Sequence, residues 1–350
     1  MYKKQQFTPI SQIGEHKLIE LLCKKFKPTH PETIIGPGDD AAVLKKNTNK
    51  NTLVSTDMLV EGIHFDLMYT PLVHLGYKSI VVNISDICAM NGTALQVLVS
   101  LAIPNKYSVE MVDQIYEGVS RACLNYNLDL IGGDVTASAT GMVISVSILG
   151  ECRAKQTVTR DGAKHNDLIV VSGNLGASYL GLQILEREKA AFTEGASEQP
   201  ELDNYKYILE RQLKPEARAD VIEGLDSAGV LPSSMIDVSD GLSTDLLHLS
   251  NMSGTGFKLF EDKLPISKKT RETAKELNVN PTTCALYGGE DYELLFTVPI
   301  DCHEKLSSVN NICIIGHVTK DKGKREMITQ EGQKINIENT GWDPFKTEQM

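Results

Sequence analysis

Positive charge is scarce in this chain: 35 Lys and Arg stand against 46 Asp and Glu, a net of −11. That deficit excludes a broad basic face of the kind that grips DNA or RNA, so no nucleic-acid partner is expected. Long apolar runs are also missing. The longest nearly apolar stretch, Val97 to Ile103, is far short of the ~20 residues that span a bilayer, so no membrane span is expected. The first residues, MYKKQQFTPISQIGEHKLIELL, contain neither an uninterrupted apolar core nor a small-residue cleavage pattern, which reads as a cytoplasmic protein. Cysteine is sparse and unpatterned. Cys23, Cys88, Cys123, Cys152, Cys284, Cys302 and Cys313 are odd in number, widely spaced and without a C-x-x-C pair, so they read as reduced core residues and no zinc site is expected. Several phosphate-handling and nucleophile signatures are absent too: no G-x-x-x-x-G-K-[ST], no G-x-G-x-x-G after a strand, no H-R-D or D-F-G, and no G-x-S-x-G.

The 350 residues have room for about two domains, each large enough to bury a core without a disulfide or structural metal. Hydrophobic periodicity predicts a first helix around Glu15 to Phe26, a short buried strand from Thr52 to Thr56, a helix from Leu72 to Met90 and a strand from Leu95 to Ile103. A helix from Val109 to Tyr126 follows, with Val109, Val112, Ile115, Val119 and Ala122 on one face, then strands at Leu128 to Ile131 and Met142 to Leu149. This βαβαββ run closes near Glu151 as one α+β unit. The second half mixes a strand from Asp167, a helix from Ala177 to Arg187, a polar surface loop from Ala190 to Asp203 and a helix opened by Pro215. A strand at Ser234 to Asp237, a helix at Thr244 to Asn251, and strands at Tyr292 to Val298 and Ile312 to His317 complete it, again α+β.

What the chain does have is a recurring acid. Asp40 in GPGDDAAV, Asp57 in VSTDM, Asp86 in VNISDI, Asp134 in LIGGDVT, and Asp237 and Asp240 in MIDVSDGL each read as a carboxylate in a Gly-rich or small-residue turn at the end of an apolar run. Asp beside Gly is the commonest turn chemistry, and for any one of these motifs the turn reading outweighs metal binding by roughly two to one. Asp240 has the further alternative of capping a helix that begins at Gly241 or Leu242. Five recurrences shift the balance toward cation binding, because a carboxylate taken out of water costs several kcal/mol, to order of magnitude, unless a positive charge meets it. Hard oxygen donors with few His or Cys neighbours favour Mg²⁺. An acidic protein that holds metals can hold polyanionic phosphates, so phosphoryl transfer or hydrolysis with several Mg²⁺ ions is the chemistry these residues suggest.

Seven motifs, GPGDDAAV, STDMLVEGIHF, NISDICAMNG, IGGDVT, VTRDGAK, IDVSDGL and YGGEDYELLFTV, occur in an order that resembles the thiamine-monophosphate kinase family. That family's superfamily also holds aminoimidazole-ribotide synthetase, selenophosphate synthetase and the hydrogenase-maturation carbamoyl dehydratase. The likeness runs from GEHKLI near Glu15 to GWDPF near Trp342. It implies ATP-dependent phosphorylation of thiamine monophosphate to thiamine diphosphate, the last step of thiamine diphosphate biosynthesis. It implies an α+β fold of two domains: residues 1–151, which bind ATP and Mg²⁺ and join a second copy in a homodimer barrel, and residues 152–350, an α+β sandwich that completes the site. Carried over by position, it implies Mg²⁺ ligands at Asp40, Ser55, Thr56, Asp57, Asp86, Asp134, Asp237 and Asp240. ATP would meet Tyr116, Gly133, Asp134, Arg160 and Ser239, and the thiamine moiety would meet His64, Glu290 and Trp342. No residue is implied as a general base.

Without the likeness, His64 reads equally as a backbone-bonded loop residue, Trp342 as core cover, Glu290 as a turn acid and Arg160 as solvated. The 190–203 loop reads as a family-variable insertion, and Val135 stands where Thr often follows the GGD motif. The selenophosphate synthetase reading lacks its reactive Cys, since none lies between Cys23 and Cys88, and the carbamoyl dehydratase reading lacks a C-terminal Cys, the chain ending KTEQM. A non-enzymatic nucleotide and metal sensor would need no acceptor site, which His64, Glu290 and Trp342 supply.

Overall fold

A computed structural model describes residues 31–35, 39–47, 49–195 and 202–337. The expected helix around Glu15 to Phe26 and Trp342 lie outside the described residues, as do Gly36 to Gly38 of the first acid motif.

Alternating apolar residues build a six-stranded sheet from β1 (Thr33–Ile35), β2 (Ala42–Lys45), β3 (Lys50–Val60), β4 (Thr93–Pro104), β5 (Asp129–Ser138) and β6 (Val143–Arg153), in the order β1-β2-β3-β6-β4-β5. All neighbours are antiparallel except β4 and β5, which are joined through a helix and run parallel. Leu53, Val97, Val99, Leu101, Ile144, Val146 and Ile148 face inward along their strands and are buried. Covering them are α1 (Leu72–Ala89) and α2 (Val109–Tyr126). The second sheet holds seven strands in the order β13-β12-β9-β11-β7-β10-β8. They are β7 (Leu168–Ser172), β8 (Ser234–Asp237), β9 (Gly256–Phe260), β10 (Leu294–Val298), β11 (Ile312–Thr319), β12 (Arg325–Ile328) and β13 (Lys334–Asn336). With it go α3 (Ala177–Thr193), α4 (Lys206–Leu213), α5 (Ala219–Ala228), α6 (Leu242–Ser253), α7 (Lys268–Glu276), α8 (Pro281–Tyr287) and α9 (His303–Leu306). The α+β class and the βαβαββ order from β3 to β6 are as the sequence predicts.

The helix that organises the molecule is α1, apolar around most of its circumference and therefore buried around most of it. One side packs on β3, β4 and β6, the other on β8, β10, α4 and α5, so a single apolar core runs from the first sheet to the second. Its crossing with α2 depends on two glycines. A Cβ on Gly76 would lie 1.9 Å from the Ile115 carbonyl oxygen, and one on Gly118 would lie 2.0 Å from that of Val73.

Several local expectations are corrected. β3 extends from Lys50 to Val60, which puts Asp57 inside the strand and not at its end. Asp86 sits in the last turn of α1 and not in a turn. Gly132, Gly133 and Asp134 lie within β5, because Gly133 marks a close backbone approach to Val99, whose oxygen would be 1.9 Å from a Cβ there. The strand over Leu95 to Ile103 is interior, bonded to β6 and β5, and it is β5 that lies at an edge of the sheet, with Leu130, Ile131 and Val135 exposed. Val109 is exposed at the start of α2 and leaves the expected apolar face. Pro215 does not open a helix; α5 begins at Ala219, and just before it the Ala217 N–H donates to Tyr126 Oη at 2.9 Å. α3 continues to Thr193, into the expected loop. β10 starts at Leu294, since Tyr292 takes a left-handed φ of 50°.

The glycine crossing leads to a stability prediction. Gly76→Ala should lower stability by about 1–3 kcal/mol through forced separation of α1 and α2. Gly132→Ala, whose nearest new contact would be 3.8 Å away, should be close to neutral. Denaturant midpoints of the two variants check this, and equal midpoints would contradict the packing argument.

Candidate active site

Four pieces of chain converge at the C-terminal end of α1. The segment after Gly38 brings Asp39 and Asp40, the middle of β3 brings Ser55 and Asp57, α1 brings Asn83, Ser85 and Asp86, and the end of β8 brings Asp237. Asp40, Asp86 and Asp237 each offer an oxygen within 4.8 Å of the others. Ser55 Oγ lies 2.5 Å from Asp86 Oδ2 and 3.0 Å from the Asp40 carbonyl oxygen, and Ser85 Oγ donates to Asp237 Oδ2 at 2.7 Å. Asn83 Oδ1 accepts the Asp57 N–H at 3.1 Å.

This crowding shows in the acids themselves. Burial, and then the Asp40 charge, push Asp57 up to about 6 and Asp237 up to about 7. Asp86 is raised well above the usual range by burial and by Asp57 and Asp237. Its place in the last turn of α1, beside carbonyls that carry partial negative charge, also disfavours an anion. Arg160 is the counterweight, donating to both oxygens of Asp40 at 2.7 and 3.1 Å while its N–H donates to Asp39 Oδ2 at 3.1 Å. It is thus not merely solvated, and the acid cluster is not free of arginine. A buried set of oxygen donors with this much residual repulsion fits a hard divalent cation such as Mg²⁺.

The other residues singled out from the sequence divide into three groups. Ser239 and Asp240 continue from Asp237 into α6, whose N-cap is Gly241. The Asp240 N–H donates to Asp245 Oδ2 at 3.2 Å. Tyr116, Gly133 and Asp134 line one open groove of about 590 Å³ along β5. Through the paired residues Asp57, Val146, Val99 and Gly133, that groove stands three strands from the acid cluster, about 14 Å at the usual strand spacing. Within one chain, Asp134 therefore does not join the other acids. The Thr56 side chain does not either, since its hydroxyl is taken by the Val146 carbonyl at 2.9 Å.

His64 and Glu290 form the third group. The His64 ring accepts the Val60 N–H on Nδ1 at 3.1 Å, which leaves the proton of the neutral ring on Nε2, and burial lowers its pKa. It lines a cavity of about 10 Å³ with Lys78 and Gln212, both of which bind the Glu290 carboxylate. Lys78, Gln212, Asp39 and Asp245 were not found from the sequence. A lone lysine in the apolar run of α1 was a usable signal for Lys78, and Asp245 follows Asp240 by five residues, whereas nothing local marks Gln212.

Comparisons with known proteins identify relatives of the chain. A family model described as AIR synthase related protein, N-terminal domain, matches residues 38–152. The chain is 35% identical to the thiamine-monophosphate kinase of Aquifex aeolicus over 96% of its own length and 99% of the relative's. It is 34% identical to that of Bacillus subtilis over 91% and 95%. Among solved structures, AaThiL complexed with AMPPCP and TMP superimposes with a TM-score of 0.82 at 33% identity, covering 97% of this chain and 99% of that one.

Crowded acids predict a pH dependence. Asp57 and Asp237 hold their protons above the ordinary value of 3.8, so between about pH 4 and 7 these groups bind more protons in the folded chain than in the unfolded one, and their contribution to stability falls as pH rises through that window. With a chelator present, the thermal midpoint should be higher near about pH 5 than near about pH 7.5, and excess Mg²⁺ should raise it more at the higher value. A flat profile with chelator would contradict the crowding.

Proposed function

The chain belongs to the thiamine-monophosphate kinase family, and on that premise we propose that it transfers the γ-phosphate of ATP to thiamine monophosphate, giving ADP and thiamine diphosphate. The observation that carries the reading is the acid cluster of Asp40, Asp86 and Asp237, two of them buried and Asp86 half-buried, with Asp57 beside it. These four, with Ser55 and Asp240, are the residues that would hold Mg²⁺; the Thr56 side chain is left out. Bound there, Mg²⁺ supplies positive charge that offsets the two polyanions and the charge of the transferring phosphoryl group.

The remaining work falls to the chain's own residues. Arg160 is held beside the acids with a fixed guanidinium that favours phosphate oxygens. The acceptor needs no base, because the second pKa of a phosphate monoester is about 6 and the attacking oxygen is already ionised at neutral pH. His64 supports this, since its Nδ1 already accepts a backbone N–H. The acceptor oxygen bonds to the γ-phosphorus as the bond to the ADP oxygen breaks, and the residues' task is to align and screen the two phosphates. Tyr116 and Gly133 in the groove along β5 are assigned to ATP with Arg160 and Ser239, and His64, Glu290 and Trp342 to the thiamine moiety. Residues 1–151 are taken as the ATP, Mg²⁺ and dimerisation domain and 152–350 as the domain that completes the site. We place the protein in the cytoplasm; among the described residues no helix is long and apolar enough to cross a membrane.

A homodimer is part of the same proposal. The edge strand β5 exposes Leu130, Ile131 and Val135, and an uncovered apolar edge favours pairing with a second copy. Asp134 lies on this edge, apart from the other acids.

Product analysis by mass spectrometry tests the chemistry. Thiamine monophosphate should be phosphorylated and unphosphorylated thiamine essentially not, because a hydroxyl acceptor would need a base that is not positioned. Asp57→Asn should abolish turnover while the chain stays folded, and comparable phosphorylation of both acceptors would overturn the mechanism. Light scattering at micromolar concentration should give a dimer, and Val135→Asp should shift it toward monomer; a wild-type monomer would remove the dimer proposal.

A further inference from the structure

The Glu290 carboxylate is held more tightly than a surface acid has reason to be. Lys78, 4% exposed on α1, places Nζ 3.1 Å from Oε1, and Gln212, 5% exposed on α4, donates from Nε2 to Oε2 at 2.7 Å. The two are also tied to each other, since Lys78 Nζ donates to the Gln212 carbonyl at 3.0 Å. Ser178 Oγ donates to Gln212 Oε1, which fixes the amide so that its NH₂ faces Glu290.

The backbone is pinned as well. Glu290 takes a left-handed φ of 55° and Tyr292 one of 50°, conformations that persist only where the surroundings enforce them. Here Glu290 N–H donates to the Ser239 carbonyl at 2.7 Å and Tyr292 N–H to that of Val238 at 2.9 Å. Beneath them, Arg211 donates to the Asp291 carbonyl at 3.0 Å and to Glu293 Oε1 at 2.9 Å, while Arg218 donates to Glu293 Oε2 at 2.9 Å. Adjacent residues of α4 thus hold the loop from below and the carboxylate from the side.

A carboxylate oxygen accepts more than one hydrogen bond, so each Glu290 oxygen keeps acceptor capacity after Lys78 and Gln212 are satisfied. Its charge is already met by Lys78, and a second cation there would be repelled. A neutral N–H donor is what this arrangement takes best. The thiazolium of thiamine monophosphate is cationic and carries no N–H, whereas the amino group of its aminopyrimidine is a neutral donor. We infer that Lys78 and Gln212 are positioning residues that hold Glu290 as a charge-compensated acceptor for the amino group of the substrate's aminopyrimidine. This rests on the reading of Glu290 as part of the acceptor site.

Steady-state kinetics with both substrates varied tests it. Gln212→Met should raise KM for thiamine monophosphate about tenfold with KM for ATP little changed, the loss expected for one mis-set hydrogen bond. In a Glu290→Gln background the same substitution should add almost nothing, because Gln212 acts through Glu290. The analogue with an oxo group in place of the pyrimidine amino group, measured on the unaltered protein, should bind at least about tenfold more weakly, since it brings an acceptor to a carboxylate. Equal rises in both KM values, or full additivity with Glu290→Gln, would overturn the positioning role. Equal affinity for the oxo analogue would overturn the aminopyrimidine assignment even if Gln212→Met failed to fold. An unchanged acceptor KM in Glu290→Gln alone would instead remove the acceptor-site reading on which the inference stands.

Discussion

Mutual repulsion among buried carboxylates sets the terms for this molecule. Asp40, Asp86 and Asp237 come within 4.8 Å of one another at the C-terminal end of a largely apolar helix, where taking each charge out of water costs several kcal/mol, to order of magnitude. The protein's own relief is partial. Arg160 bridges both oxygens of Asp40, Ser55 and Ser85 lend hydroxyls to Asp86 and Asp237, and the remaining strain shows as carboxyls that keep their protons far above the usual range. A group in that condition is a binding site in waiting, because a cation that enters gains the attraction and removes the repulsion together. Asp237 comes from the second sheet and the other two from the segment before β2 and from α1, so the same repulsion bears on how the two halves meet.

That meeting is arranged by α1. At 100° per residue, Lys78 and Ser85 fall on one face, toward the second half, where they reach Glu290 and Asp237. Asn83 and Asp86 fall on the side toward β3, where they meet the Asp57 N–H and Ser55. These four polar residues on a largely buried helix each have a named partner, and the partners belong to both proposed subsites. The close crossing at Gly76 and Gly118 holds the helix at the depth these contacts need. Rigidity at one end is therefore coupled to rigidity at the other through one packed element, with the backbone of residues 288–293 locked by its arginine and carboxylate network.

Much of this was legible in the sequence. Apolar periodicity marked α1, α2 and the order of strands and helices from β3 to β6, because a half-buried element must repeat its apolar residues at its own period. The recurrence of aspartate after apolar runs pointed to Asp40, Asp86 and Asp237, and the ordered motifs marked the family. The local reading erred where one residue type serves two purposes. The Gly132 and Gly133 pair was read as a turn but sits inside β5, where Gly133 answers a close approach by Val99, a contact 34 residues away in the chain. Thr56 was grouped with Ser55 and Asp57 although strand alternation turns its side chain to the opposite face, where Val146 takes its hydroxyl.

By itself, then, the sequence determined the α+β class and the family and pointed to most of the acids, since these follow from composition, period and short motifs that survive without knowledge of neighbours. Only the tertiary structure decided which acids share a site. Strand order puts Asp134 three strands from Asp57, and the burial of α1 between two sheets joins Asp86 to Asp237, 151 residues later in the chain. It alone joined Lys78 and Gln212 to Glu290. The physical reason is that local pattern sets the conformation of a segment, whereas charge repulsion, desolvation and hydrogen bonding depend on distance in space, and those distances are set by long-range pairing and packing.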